Sequence, residues 1–188
     1  MRRAVALIAV ALILAACGAG SKSPSTATTT PPRAAGTGRH PSTGFHLTSP
    51  AFRPGAPIPR VYTCDGRELS LPLQWTGVPR AAKELVLVMR DPDAPGGSFV
   101  HWALAGIAPS STALPAGAVR GHAIPGRNSF GANVYGGPCP PRGAPAHHYV
   151  LTLSALASPS GLRPGFSPDQ LRARPLAIAT LIGSYARR

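Results

Sequence analysis

The stretch DPDAPGGSFVHW, residues 91–102, sets two carboxylates on a proline-stiffened turn and then sinks a histidine into an apolar run. Pro92 pushes Asp91 toward extended backbone, Pro95 does the same to Ala94, and Gly96 and Gly97 let the chain reverse before the next strand begins. Asp91 and Asp93 are therefore held at a strand end. His101 lies inside the following strand, where loss of water favours the neutral imidazole unless a carboxylate stands nearby. Taken singly, an Asp-Pro turn is a local cap for the backbone, and a core histidine is satisfied by a carbonyl. Two such features side by side, in a chain with only six acidic residues, point to a site.

A second stretch, NVYGGPCPPRGAPAHHYVL at residues 133–151, is built on the same plan. Gly136, Gly137 and Gly143 expose backbone N–H groups and permit unusual dihedrals, while Pro138, Pro140 and Pro141 stiffen the loop. Such a segment packs poorly but can present amides and a rigid wall to a ligand. His147 then enters a strand as His101 does. Tyr149, Leu151 and Leu153 fall on one face of that strand and Val150, Thr152 and Ser154 on the other, with His147 on the side of Tyr149 and His148 on the opposite side.

The remaining pattern is mostly β. Leu85–Met89 is a short continuous apolar run, as in a strand buried on both faces, and residues 99–107 are apolar except for His101. Proline and glycine punctuate the intervals, which predicts many short strands and long ordered loops. Ser167, Pro168, Asp169 and Gln170 read as the start of a helix that ends before Pro175. The closing LAIATLIGSYAR, residues 176–187, reads as a strand.

The N-terminus is of another kind. Met1-Arg2-Arg3, an apolar run from Ala4 to Leu14 too short to span a bilayer comfortably, and Leu14-Ala15-Ala16-Cys17 together resemble a bacterial lipoprotein signal. Residues 1–16 are then a signal peptide, and Cys17 is the acylated first residue of an extracytoplasmic protein anchored in the cell membrane. Residues 17–43, rich in Ser, Thr and Pro, form a disordered tether, and residues 44–188 form one domain. The formal charge of +13 is spread over single arginines without basic-aromatic interleaving, so an exported chain of this kind is not a nucleic-acid binder. With Cys17 lipidated, Cys64 and Cys139 remain as a pair in an oxidising compartment, and a disulfide is their expected use. A metal site is the weaker use, since neither has a CxxC neighbour.

The two histidine-bearing stretches in this order, residues 91–102 and 135–149, resemble the phosphatidylethanolamine-binding proteins, also called Raf kinase inhibitor-like proteins, in their bacterial form. Tyr62-Thr63-Cys64-Asp65-Gly66, Ser70 through Trp75 and Gly183-Ser184-Tyr185-Ala186-Arg187 are weaker echoes. The resemblance implies a mostly β fold, with a central antiparallel sheet packed on a second sheet and a few short helices. It also implies a small surface cavity for an anion such as phosphate or a phospholipid headgroup. Asp91, His101 and His147 match the acid and the two histidines of that cavity, and Pro141, Gly137 and Tyr149 match its wall; Asp93 and Pro95 match structural positions of the motif. The chain departs from the pattern at Leu71, where proline is expected, at Glu68, where Asn is common, at Ser129, where Asp is frequent, and at His148, where arginine is usual.

These readings converge on a binding protein without catalytic residues or cofactor, whose imidazoles and loop amides hold an anion. Asp91 orients one ring, and affinity should rise as pH falls through the histidine range. A homodimer or another protein partner is compatible with the resemblance. The alternatives are a protein inhibitor of an extracytoplasmic kinase or protease, and, less favoured, a metal-dependent hydrolase using two histidines and one carboxylate as ligands. Neither HxD, HExxH nor GxSxG occurs in the chain.

Overall fold

The computed structural model describes residues 44–117 and 123–188. The expected signal peptide, acylated Cys17 and tether, residues 1–43, fall outside the described residues. Strands β1 (His46–Thr48), β2 (Leu73–Thr76), β3 (Glu84–Asp91), β4 (Phe99–Ile107), β5 (Ala113–Leu114), β6 (Ile124–Pro125), β7 (His147–Leu156) and β8 (Ala177–Tyr185) follow in chain order. They form a three-stranded sheet, β1-β2-β5, and a five-stranded sheet, β6-β4-β3-β7-β8, and every strand pairing is antiparallel. No helix among the described residues is long and apolar enough to cross a membrane.

The apolar runs become strands for the reason their pattern suggests. One face of the large sheet, with Leu85, Leu87, Met89, Trp102, Leu151 and Leu153, shares a core with Leu47, Leu73 and Trp75 of the small sheet. On the other face Val86, Val100, Ala103, Ala105 and Leu156 pack with Phe166, and Leu162, Leu171 and Ala173 cover them. Burial on both faces is why β3 and β4 lack alternation. The far edge of β8 is closed by residues 55–58: Gly55 N–H donates to Ile182 O at 2.7 Å and Ile58 N–H to Ser184 O at 2.8 Å.

The expected helix at Ser167 is a single 3-10 turn, Pro168–Gln170, and this corrects the reading of that segment. Its start is as expected, with Ser167 and Gln170 closing a capping box. It does not propagate, because Pro175 leaves too few residues to offset helix nucleation, and Leu171 and Ala173 are instead drawn onto the sheet. Asp169 leaves the turn to pair with Arg90 at 2.9 Å.

One irregularity positions the site. β3 and β4 pair Met89 with Trp102 and then Arg90 with Val100, so His101 is the extra residue of a β-bulge. The Gly136 N–H donates to the His101 carbonyl at 2.9 Å, and the His101 ring returns a bond from Nδ1 to the Gly136 carbonyl, also 2.9 Å. This two-point clamp fixes both the bulge and the ring.

Candidate functional site

The end of β3, the turn after it, β4, the start of β7 and two loops meet at a cavity of about 220 Å3. Asp91, His101 and His147 line it with Ala94, Pro95, Phe99, Phe130, Cys139, Pro140 and Pro141. The first three are buried, at 3%, 3% and 7% exposure, so their polar atoms must be partnered within the protein or by a guest.

Most are partnered within. The Asp91 carboxylate accepts from His147 Nδ1 through Oδ2 at 2.7 Å and from the Asp93 amide through Oδ1 at 2.8 Å. The local cap and the oriented imidazole expected as alternatives are therefore both present on one side chain. With Nδ1 of His147 directed at a carboxylate and Nδ1 of His101 at a carbonyl, both Nδ1 atoms act as donors, and Nε2 is the nitrogen each ring has left to offer. The His101 ring is walled by Phe99, Phe130 and Tyr149, whose centroids lie 5.1, 5.5 and 5.1 Å away. This burial pushes the His101 pKa below its ordinary value, against the opposing pull of the Gly136 carbonyl and the Asp91 charge. His101 is thus neutral at neutral pH.

Tyr149 lies fully buried with its ring edge-on to His101. Its hydroxyl is close to Asp91 and the Cys139 backbone, but meets neither in hydrogen-bonding geometry and has no partner among the described residues. Burial first, and the Asp91 charge after it, push the phenol well above the ordinary tyrosine range, so the hydroxyl keeps its proton. Phe130, 54% exposed, stands at the mouth and shares with Cys139 the wall of a second cavity of about 290 Å3 that contains Glu68 and Val134.

The glycine-proline loop is shaped by packing rather than by a need to expose amides, which corrects the expectation for Gly136 and Gly137. Neither has positive φ. The Gly136 amide is spent on His101, and that of Gly137 donates to Glu68 Oε1 at 3.0 Å. A Cβ on Gly137 would lie 2.8 Å from the Tyr62 carbonyl oxygen and 2.9 Å from Thr63 Cα, so Gly137 is a close-approach residue outside the cavity lining. Cys64 and Cys139 form the disulfide, with an S–S distance of 2.06 Å, which ties the cavity wall to residues 60–66.

Three of the four departures find local explanations, and Leu71 is a fully buried member of the core. Glu68 has φ +54, a left-handed conformation that Asn tolerates better than Glu, and its carboxylate holds Gly137 in return. Ser129 Oγ accepts from the Val100 amide at 2.9 Å, an acceptor's task that Asp could perform. His148 points away from the cavity, as its parity requires, and is exposed. Both its amide and Nδ1 donate to Asp93 Oδ2, at 2.7 and 2.8 Å, and these bonds hold the Asp93 carboxyl below its usual pKa range. That partnership of consecutive motifs was not read from the sequence. The two weaker echoes also meet: Asp65 accepts from the Tyr185 hydroxyl at 2.9 Å and from two nitrogens of Arg187. Among the described residues, no three His, Cys, Asp or Glu side chains are grouped to hold a metal ion.

Comparison with known proteins agrees with this architecture. Residues 48–184 match the family model described as phosphatidylethanolamine-binding protein. The Mycobacterium tuberculosis protein named "Putative lipoprotein LppC" is 44% identical over 146 residues, 75% of this chain and 68% of that protein. A UPF0098 protein of Aquifex aeolicus is 42% identical over 153 residues, 76% of this chain and 89% of its own. Among solved structures, the phosphatidylethanolamine-binding protein homologue CT736 of Chlamydia trachomatis superposes with a TM-score of 0.73 at 35% identity, covering 78% of this chain and all of that one. Escherichia coli YbcL, described as a new member of the mammalian PEBP family, gives 0.71 at 29% identity, covering 77% and 99%. The two sheets, the pair of histidine-bearing motifs and these relatives agree: the chain belongs to the phosphatidylethanolamine-binding protein family.

Proposed function

We propose that this chain is a lipid-anchored, extracytoplasmic, non-enzymatic binding protein whose histidine cavity takes a phosphate-like anion, free or as a phospholipid headgroup. The observation that carries the reading is the polarity of the two rings. Each Nδ1 is committed as a donor inside the protein, so in the neutral state each Nε2 carries a lone pair. An anion is then accepted only with protons, either taken up by the rings or brought as P–OH groups. Tyr149, expected in the wall, stands against His101 outside the cavity lining, and its unpartnered, protonated hydroxyl is a donor in reserve. The apolar collar of Phe99, Phe130, Pro140 and Pro141 excludes water, which strengthens the interaction. The rest of a larger ligand would lie across Phe130.

The test is calorimetric titration of inorganic phosphate between pH 5 and 8, in two buffers that differ in ionisation enthalpy. Affinity should rise as pH falls, with net proton uptake on binding, and His101→Gln should weaken binding and reduce the dependence. Affinity that is flat over this range would exclude the mechanism. The anchor rests on the Leu14-Ala15-Ala16-Cys17 resemblance to a lipoprotein signal and on the LppC relative. Cys17→Ser should move the protein from the detergent phase to the aqueous phase on Triton X-114 partition. A second reading, a protein inhibitor, draws support from the exposed Phe130 and Val134, 54% and 48% accessible, near the mouth. An envelope protein captured by wild type but not by Phe130→Ser would favour it.

A further inference from the structure

All six acidic residues are engaged by particular partners: Asp65 by Arg187 and Tyr185, Glu68 by Gly137, Glu84 by Ser160 and Gly106, Asp91 by His147, Asp93 by His148, and Asp169 by Arg90. Arginines gathered in one place therefore have few carboxylates to neutralise them. Such a place exists apart from the histidine cavity. A cavity of about 440 Å3 is lined by Arg60, Asp65, Arg142, Tyr185, Ala186 and Arg188, and Arg187 stands behind it on Asp65.

Two of the guanidiniums here are held in place by the backbone. Arg60 Nε donates to the Asp65 carbonyl at 2.7 Å, and Arg142 Nη1 donates to the Arg188 carbonyl at 2.9 Å. The carboxylate of the cluster is saturated: Asp65 receives Arg187 at 2.9 Å and the Tyr185 hydroxyl at 2.9 Å, with Arg142 at 3.6 Å. These contacts hold the Asp65 carboxyl below its usual pKa range. Four arginines thus face one carboxylate, and a terminal carboxylate on Arg188 would still leave the guanidiniums in excess. Arg60 and Arg142 each keep donors that these bonds do not use, in the planar fork that matches phosphate oxygens. The Arg188 side chain holds no hydrogen bond among the described residues.

From this arrangement we infer that the cavity between the Arg60–Gly66 segment, the Arg142 loop and the C-terminal strand end is a second anion site, selective for phosphate groups. It is independent of the histidine cavity, with which it shares no lining residue. Its charge does not depend on histidine protonation, so its occupancy follows ionic strength instead.

The test titrates the full chain, and its H101Q/H147Q variant, with two probes at low salt: inorganic pyrophosphate, and dihexanoyl phosphatidylglycerol below its micelle concentration. Binding should survive H101Q/H147Q and, with R142Q/R188Q added to that variant so that the histidine cavity does not contribute, weaken by about tenfold or more, the loss expected for charge-assisted hydrogen bonds. If R142Q/R188Q melts early, R188Q alone serves, with a severalfold loss expected. Loss for pyrophosphate alone identifies a free phosphate ligand, and loss for the lipid, alone or with pyrophosphate, identifies a headgroup; either supports the site. The inference is overturned if wild type binds neither probe, if adding R142Q/R188Q to H101Q/H147Q leaves binding unchanged, if adding R163Q/R172Q weakens it equally, or if H101Q/H147Q abolishes it.

Discussion

Gly137→Ala and Gly136→Ala, two neighbouring and chemically identical changes, should differ in cost because they collide with different kinds of atom. On Gly137 the new methyl would sit 2.8 Å from the Tyr62 carbonyl oxygen, 2.9 Å from Thr63 Cα and 3.0 Å from the Thr63 carbonyl carbon. All three are backbone, Thr63 is fully buried, and the adjacent Cys64 is tied to Cys139. Nothing there can swing aside, so the cost belongs at the upper end of overpacking, about 3 kcal/mol, with loss of the Glu68 bond included. On Gly136 the methyl would meet Phe130 Cδ2 and Cε2, both at 2.6 Å. Phe130 is a half-exposed side chain that can rotate outward, forfeiting its edge contacts with Phe99 and His101. Such aromatic contacts are worth about 0.5–1.5 kcal/mol each, so losing the two costs about 2 kcal/mol at the middle of that range. Urea unfolding, read at constant m-value, measures both. Gly136→Ala should also change phosphate affinity by unroofing His101. Equal destabilisation of the two variants, or the reverse order, would refute this account of the loop.

The remaining expectations concern charge and covalent ties. His101 has a folded pKa below its ordinary 6.5, so it adds stability above that pH, and this is lost as pH falls toward the depressed value. Urea midpoints at pH 8, 6 and 4.5 should therefore fall more steeply for wild type than for His101→Gln. Asp65 has its pKa lowered by Arg187 and Tyr185, and its contribution is present above the ordinary 3.8 and lost below it. Asp65→Asn should destabilise at pH 7, and the difference from wild type should shrink by pH 3 in thermal melts. Replacing Cys64 and Cys139 by serine releases a 75-residue separation, which the chain-entropy relation values at about 4 kcal/mol. The midpoint should fall accordingly, and reductant should have no further effect on the variant.

The long strands were legible because their patterns are physical requirements. Leu85–Met89 of β3, and β4 apart from His101, had to be apolar to be buried on both faces, and β7 alternates where Val150 and Thr152 are only partly covered. β5 and β6, two residues each, carry too few side chains to show a period. The convergence of Asp91, His101 and His147 was legible through motif order. The bulge that aims His101 was not, because it depends on how β3 and β4 register across a turn, which a single strand's sequence does not encode. The purpose of Gly136 and Gly137 was misjudged for a related reason: glycine announces that space is short or that φ is unusual, and only the neighbours say which. The helix at Pro168 shows capping chemistry specifying a start without specifying a length.

The extra residue at His101 bears on how such a chain can change over time. The segment between β7 and β8 covers one face of the large sheet away from the histidines, and insertions at its exposed turns leave them where they are. Between Phe99 and Trp102 the arithmetic is unforgiving. Deleting one position would restore ideal pairing, make the sheet more regular, and carry one imidazole to the opposite side of the molecule from its partner. The cavity is thus stored in a counting offset, and a variant that improves the strand's regularity there should lose the ligand.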